Sequence, residues 1–157
     1  MIFNIFFAML LALAFGLSLM IARADFRRRI IPDAYLFPLM LTGLALIAFF
    51  DWPHGLSAAV IGGIFGYTLA AITGFAFDYY LRKQGDDNIS APIGMGDIKL
   101  IGVGGLWLGT DGLAIALVIA CISGMIWARI RHQKFIPFAP FFLIGAFFGL
   151  LNLAISL

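Results

Sequence analysis

The sequence predicts an all-α polytopic membrane protein, and three observations support that fold class. Of its 157 residues, 63% are hydrophobic and only 11% are charged, whereas about 25% are charged in an average soluble domain. The apolar residues form stretches that approach the ~20 residues a helix needs to cross a bilayer core. The basic residues fall in separate loops, and no flexible linker divides the chain. We therefore predict a single transmembrane domain over residues 1–157.

Six apolar segments follow one another along the chain. Their approximate bounds are 2–22, 34–50, 56–77, 98–110, 112–128 and 135–156. No basic residue precedes the first segment, which is typical of a permanent helix rather than a cleaved signal. The second begins after Pro32-Asp33 and ends at a turn over 51–55. The third carries small residues at every fourth position, a spacing that lets helices pack closely in lipid.

The fourth segment is the least regular, because it is short, contains Lys99 and is rich in glycine. A re-entrant segment that never crosses is the alternative there. It would place the basic loop at 129–134 outside the cytoplasm, against the positive-inside rule. We therefore predict six crossings, with the fourth helix either starting inside the membrane or locally thinning it. A turn over 109–112 then leads into the fifth segment, and a sixth segment follows the basic loop.

The charges predict the orientation of these six crossings. Three loops contain all the basic residues when Lys99, at the start of the fourth segment, is counted with the loop before it, and the short joints at 51–55 and 109–112 contain none. With six crossings the three loops lie on one face, which the positive-inside rule makes cytoplasmic. Both chain termini are then predicted on the non-cytoplasmic side.

Two aspartates mark the candidate site. Asp25 follows the first segment and Asp97 opens the fourth, so both are predicted at the cytoplasmic face. An ionisable group at a membrane boundary is costly to keep and indicates function. Two neighbouring carboxyl groups share a proton, so that one takes a proton from water while the other polarises a peptide carbonyl. The alternatives are structural: Asp97 as a helix cap paired with Lys99, and Asp25 as a partner of the arginines that follow it.

The residues before Asp97 are suited to such a site. Gly94 and Gly96 flank Met95, and their backbone freedom lets a substrate come close to Asp97. Asp97 itself is expected to be the N-cap of the fourth helix, where backbone N–H groups favour a carboxylate.

Three stretches of the chain resemble the type IV prepilin peptidase family. They are Asp25 through Pro32-Asp33, then Gly94-Met95-Gly96-Asp97-Ile98-Lys99-Leu100, and then Ile136-Pro137-Phe138-Ala139-Pro140-Phe141-Phe142-Leu143 with Gly145. The chain is similar to the short form without a methyltransferase domain, like the peptidases of tight-adherence (Flp) pili. The resemblance implies a membrane aspartic endopeptidase that removes the basic leader of prepilins or pseudopilins at the cytoplasmic face of the inner membrane.

The resemblance also implies roles for individual residues. Asp25 and Asp97 would be the catalytic pair. Other residues of the same stretches are expected to support the active site: Gly94, Gly96, Lys99 and Pro32. Three further acids are expected to attract the basic leader over a Debye length of about 8–10 Å: Asp33, Asp86 and Asp87. The alternative for these acids is a solvated loop that offsets nearby basic residues.

Other functions stay open at this point. A small proton- or cation-coupled transporter or channel would use Asp25 and Asp97 as ion sites, since broken, glycine-rich helices also build such sites. A carrier is expected to place its acids near mid-membrane, whereas both lie at one edge here. A structural assembly protein would use them only as caps. Archaeal preflagellin peptidases share the Gly-x-Gly-Asp element and are the alternative within the same class.

The sequence predicts no metal and no cofactor. His54 and His132 lie on opposite faces of the predicted topology, and the single cysteine, Cys121, provides neither a disulfide framework nor a thiolate zinc site. The basic clusters flank helices, which predicts contact with lipid headgroups rather than nucleic acid. The expected partners are the prepilin-like substrate and the bilayer, and the sequence leaves the oligomeric state open.

Overall fold

The computed structural model describes residues 2–83, 93–132 and 136–156, and over these ranges the chain is helical with no β-strand. The five helices are α1 (Ile2–Arg28), α2 (Asp33–Phe50), α3 (Leu56–Lys83), α4 (Met95–Arg131) and α5 (Phe138–Ser156). Each is long and apolar enough to cross a membrane. The prediction of an all-α protein with several membrane-spanning helices is confirmed.

Several helices extend beyond the apolar segments that predicted them. The helix predicted over 2–22 continues to Arg28, and the one predicted over 56–77 continues to Lys83. An apolar run marks the part of a helix that lies in lipid, whereas backbone hydrogen bonds carry the helix on into the polar boundary. Asp25 therefore lies inside α1, close to its end, and not after it as predicted.

The fourth and fifth predicted segments lie within the single helix α4, whose backbone is non-helical at Gly109 (φ 63°, ψ −169°). The chain reverses there. A Cβ built on Gly66 of α3 would lie 2.7 Å from the Ile101 carbonyl oxygen and 2.9 Å from Leu113 Cδ2. A straight helix would separate Ile101 and Leu113 by about 18 Å. The two halves of α4 therefore lie side by side.

Small residues allow α3 to pack closely against α4. Gly62 of α3 and Gly105 of α4 are in backbone contact, and a Cβ on either would overlap the carbonyl oxygen of the other. The predicted four-residue spacing is confirmed as the contact face of α3, because its buried residues include Gly62, Gly66, Ala70 and Gly74. Close backbone approach of this kind stabilises helix pairs in lipid.

Helices α1 and α2 form an antiparallel pair. The rings of Phe6 and Phe7, near the start of α1, contact Phe50 at the end of α2. At the opposite end of the pair the short connection over 29–32 joins the two helices. α5 also packs against α1, and α4 packs against both α3 and α5. This arrangement brings the end of α1 together with the starts of α2, α4 and α5.

Candidate active site

Asp25 is buried and hydrogen-bonded to another helix. The residue is only 5% exposed. Its Oδ2 accepts a hydrogen bond from the Ala139 amide at 2.8 Å. Ala139 is the second residue of α5, and the first N–H groups of a helix have no partner within it. The Asp25 carboxyl therefore satisfies one of these donors and is held in place by it.

Asp97 lies in the first turn of α4 and is partly buried. The expectation that it is the N-cap is wrong, because Gly94 occupies that position in an extended conformation and the helix begins at Met95. The Asp97 amide donates to the Gly94 carbonyl oxygen at 3.0 Å. A carboxylate in the first turn still benefits from the positive end of the helix dipole.

The backbone segments that carry the two aspartates are in contact. The connection between α1 and α2 touches the start of α4, since a Cβ on Gly96 would lie 3.0 Å from Ile31 Cβ. A Cβ on Gly94 would lie 3.1 Å from Asp97 Oδ2. A side chain at Gly96 would therefore press the α1–α2 connection away from the start of α4, and a side chain at Gly94 would crowd the Asp97 carboxyl group.

Lys99 pairs with Asp33, not with Asp97. Its Nζ lies 2.7 Å and 2.9 Å from the two carboxylate oxygens of Asp33. This ion pair joins the first residue of α2 to the first turns of α4. Both side chains are partly exposed, and exposed pairs of this kind are worth about 0–1 kcal/mol. Lys99 and Asp33 therefore form one contact. The sequence had predicted separate roles for them: support of the active site for Lys99, and attraction of the leader for Asp33.

Pro32 is the N-cap of α2, and its carbonyl oxygen accepts hydrogen bonds from the Tyr35 and Leu36 amides at 3.1 Å and 3.2 Å. It therefore fixes the start of α2 beside the candidate site. Asp86 and Asp87, predicted to attract the substrate leader, lie outside the described residues.

Sequence reasoning missed the Ala139 amide as a member of the site. The contact spans 114 positions, and the amino acid at 139 contributes only its backbone. One signal was present, because Pro137 and Pro140 flank the position and proline is favoured at helix starts. A helix start at this point predicts free N–H groups, although it does not predict which carboxyl group they meet.

An apolar groove of about 650 Å³ lies along α1 and α5, and its lining includes Ala22 and Leu100, each three positions from a candidate catalytic aspartate. Its floor consists of α4 residues that are almost completely buried, among them Leu100, Val103, Trp107 and Leu108. The indole N–H of Trp107 donates to the Leu39 carbonyl oxygen of α2 at 3.1 Å, which leaves the floor without an unpaired indole donor. We call this feature the α1–α5 groove.

Comparisons with known proteins place these features in a family context. A sequence model of the type IV leader peptidase family matches residues 6–129, a range that contains both Asp25 and Asp97. The chain is 30% identical over 145 residues to a prepilin leader peptidase/N-methyltransferase of Dickeya chrysanthemi, covering 88% of this chain and 48% of the relative. A protein of the same name from Burkholderia pseudomallei (strain 1026b) is 32% identical over 150 residues, with 87% and 46% covered.

A third relative, the prepilin leader peptidase/N-methyltransferase of Escherichia coli (strain K12), is 30% identical over 153 residues, which cover 92% of this chain and 63% of the relative. The chain thus spans about half the length of the first two relatives. No solved structure matches the chain.

Proposed function

Because the chain belongs to the type IV leader peptidase family, we propose that it is a membrane aspartic endopeptidase. Its substrates are prepilin-like or pseudopilin-like proteins, from which it removes a basic leader. The proposal covers only the leader peptidase activity that the relatives' name gives, and does not extend to the N-methyltransferase activity. The observation that supports it is the position of Asp25: its buried carboxyl group is held by the Ala139 amide, and the α1–α2 connection that follows it contacts the start of α4, which carries Asp97.

The chemistry follows from two carboxyl groups that share one proton. A water molecule between them gives a proton to the ionised carboxylate, and its oxygen attacks the carbonyl carbon of the scissile peptide bond. The protonated carboxyl group donates to the carbonyl oxygen. When the tetrahedral intermediate collapses, the C–N bond breaks and the leaving nitrogen takes up a proton from the pair.

The helices contribute geometry to this reaction. The Ala139 N–H fixes one oxygen of Asp25, so its carboxyl group keeps one orientation through the cycle. The first turn of α4 holds Asp97 next to Gly94, whose missing side chain leaves the space beside Oδ2 open. A fixed pair and an open approach are what a general acid–base site needs to receive an extended peptide.

The proposed topology has six crossings, with α4 contributing two of them. The reversal at Gly109 supports this, since the two halves of α4 pack beside each other. The basic residues support the orientation, because the last turns of α1, α3 and α4 each contain two of them. The active site then faces the cytoplasm from the inner membrane, and both termini lie on the opposite side.

The direct test is neutralisation of each aspartate at constant shape. Asp25→Asn and Asp97→Asn should each abolish cleavage of a co-expressed prepilin-like substrate, because removing one member of a catalytic unit costs nearly as much as removing both. Asp111→Asn is the matched control, since Asp111 is exposed and follows the reversal at Gly109. Cleavage at the wild-type rate by either site variant, at equal protein levels in the membrane, would overturn the proposal.

A further inference from the structure

A smaller pocket, separate from the α1–α5 groove, brings two arginines together. Its volume is about 310 Å³, and the described residues that line it are Phe26, Arg29, Trp127, Arg131 and Pro137. Arg29 directly follows α1, whereas Arg131 is the last residue of α4. None of these lining residues is acidic. We call this feature the two-arginine pocket.

Aromatic rings hold Arg131 at the wall of the pocket. Its Cζ lies 5.0 Å from the centroid of the Trp127 ring, a distance typical of a cation–π contact. The Trp127 ring in turn contacts Phe26 of α1 and Phe141 of α5, at centroid distances of 5.6 Å and 5.9 Å. Arg131 forms no ion pair with any other described residue. Its position is therefore fixed while its positive charge stays available to a ligand.

The backbone of Arg29 has an unusual conformation for an arginine. Its φ of 54° lies in the left-handed region, and its amide donates to the Asp25 carbonyl oxygen at 2.8 Å. A left-handed residue commonly ends a helix, but glycine is the usual residue there because a Cβ makes the conformation unfavourable. An arginine thus stands where the backbone favours glycine, which indicates a role for its side chain.

The helix ends around the pocket are strongly basic. The last turns of α1 and α4 contain four arginines, to which Arg29 adds another: Arg27, Arg28, Arg129 and Arg131. Like charges at short range repel, and arginine does not lose its proton in proteins. The carboxyl group of Asp25 offsets at most one of these charges. A bound anion would relieve the repulsion that remains.

The pocket lies where the membrane-spanning part of the chain ends. α1 and α4 are long and apolar enough to cross a membrane, and apolar side chains beside the two arginines are exposed: Phe26 by 53% and Ile130 by 68%. Under the proposed topology these basic ends face the cytoplasm, where the leaflet carries anionic phospholipids. An occupant at this level therefore meets both the positive charges and an apolar surface.

We infer that the two-arginine pocket binds the phosphate group of an anionic phospholipid such as phosphatidylglycerol. Its volume is roughly ten times the ~30 Å³ that a water molecule occupies in the liquid, which is room for a phosphate group and its glycerol. Guanidinium groups match the oxygens of a phosphate, and basic pockets between membrane helices bind anionic headgroups in other proteins.

Such a lipid would join the end of α1 to the end of α4, because its phosphate would contact Arg29 and Arg131 together. Pro137, just before α5, borders the same pocket. The inference goes beyond the proposed function and does not depend on it, since neither catalytic aspartate lines the pocket and the test measures binding.

The test is thermal unfolding of the purified full chain in neutral detergent, titrated with phosphatidylglycerol. Stabilisation by a ligand gives its apparent Kd. At about 1 M salt the Debye length is about 3 Å, so long-range attraction is screened. Arg29→Gln and Arg131→Gln should each raise this Kd about tenfold or more, because each removes a charge-assisted contact.

The matched controls are Arg28→Gln and Arg129→Gln. They remove the same charge from the same two helix ends at positions that do not line the pocket, so their Kd should stay within about twofold of the wild type at high salt. An equal loss of affinity in controls and pocket variants would show a general attraction to basic helix ends and would overturn the inference.

Two other compounds test the source of the phosphate. Phosphatidylcholine has the acyl chains without the net negative charge, and inorganic phosphate has the charge without the chains. Neither should stabilise the wild type at concentrations at which phosphatidylglycerol does. Equal stabilisation by inorganic phosphate would assign the pocket to a soluble anion and overturn the lipid assignment.

A photo-crosslinking amino acid supplies a measurement that leaves both arginines in place. At Phe26, in nanodiscs of mixed phosphatidylglycerol and phosphatidylcholine, it should join to phosphatidylglycerol in excess of the mixing ratio. At Phe75 on α3, which is 75% exposed, it should join to the two lipids in the mixing ratio. The same ratio at both positions would contradict a specific site.

Discussion

The Ala139 amide and Oδ2 of Asp25 lie 2.8 Å apart, and this hydrogen bond joins the start of α5 to the last turns of α1. The same carboxyl group is thus both a structural partner of α5 and a proposed catalytic group. These two roles respond differently to substitution, which makes them separable.

Asp25→Asn keeps a side-chain oxygen that accepts from the Ala139 amide, whereas Asp25→Ala removes it. Both variants should be inactive. Only Asp25→Ala should lose stability, by about 1–3 kcal/mol, because it leaves a buried N–H without an acceptor. Thermal unfolding in detergent measures the difference. An equal loss of stability in the two variants would mean that the hydrogen bond does not support α5.

The Lys99–Asp33 ion pair predicts a coupled effect on activity. If its role is to hold the start of α2 against α4, Lys99→Gln and Asp33→Asn should impair cleavage equally, and the double variant no further. If Asp33 instead attracts the basic leader, Asp33→Asn alone should raise KM, and more so at low salt. Steady-state kinetics of the two single variants and the double variant at two salt concentrations decide between these roles.

Gly109 should tolerate alanine poorly because of its backbone conformation. Its φ of 63° with ψ of −169° is a conformation that only glycine adopts without strain, so Gly109→Ala should cost about 1–3 kcal/mol of stability. Gly16→Ala is the control, because a Cβ there meets nothing within 4 Å and alanine favours the helix by up to about 1 kcal/mol. A melting temperature of Gly109→Ala equal to that of Gly16→Ala would argue against the reversal.

Two neighbouring glycines of α3 should differ sharply in how much an alanine at each position changes the stability of the protein. A Cβ on Gly62 would overlap the Gly105 carbonyl oxygen, whereas a Cβ on Gly63 would make an ordinary contact at 3.5 Å. Gly62→Ala should therefore destabilise the protein by about 1–3 kcal/mol, and Gly63→Ala should be neutral or slightly stabilising. Melting temperatures in the same detergent test this, and equal values would place the α3–α4 contact elsewhere.

The proposed topology predicts which positions a reagent can reach from the non-cytoplasmic side of the membrane. In a Cys121→Ser background, a cysteine at Gly55 or Asp111 should react with a membrane-impermeant thiol reagent added to intact cells. A cysteine at Lys83 or Arg131 should react only after the membrane is opened, because these positions lie at the basic ends of α3 and α4. Labelling at Arg131 in intact cells would contradict six crossings and favour a re-entrant first half of α4.

Much of the fold could be read from the sequence because lipid imposes strong constraints. A bilayer requires long apolar helices, so each apolar run predicted a helix. The difference lies at Gly109, where two predicted segments belong to the single helix α4. Charge and apolar pattern also placed Asp25 and Asp97 at the same end of the bundle. Gly94 was predicted to support the active site, but Asp97 was predicted as the N-cap of α4. Which of the two residues caps the helix depends on local backbone angles, which composition does not encode.

The long-range contacts of the site were beyond the sequence pattern. That Lys99 meets Asp33 depends on how α2 and α4 are placed side by side, and several acids were available to it. The Ala139 contribution is a backbone atom, so any residue other than proline at that position would carry the same donor. Contacts of this kind follow from packing, and periodicity along a single chain does not determine packing partners.

The order in which the ribosome delivers the two ends of the Asp25–Ala139 contact has a consequence for biogenesis. Asp25 enters the membrane with α1, and its hydrogen-bond donor follows 114 positions later, with α5. Until α5 inserts, the Asp25 carboxyl lacks this partner and the proposed catalytic pair is incomplete. Under the proposed function, a nascent chain is thus expected to be inactive during insertion and to gain activity only when α5 docks.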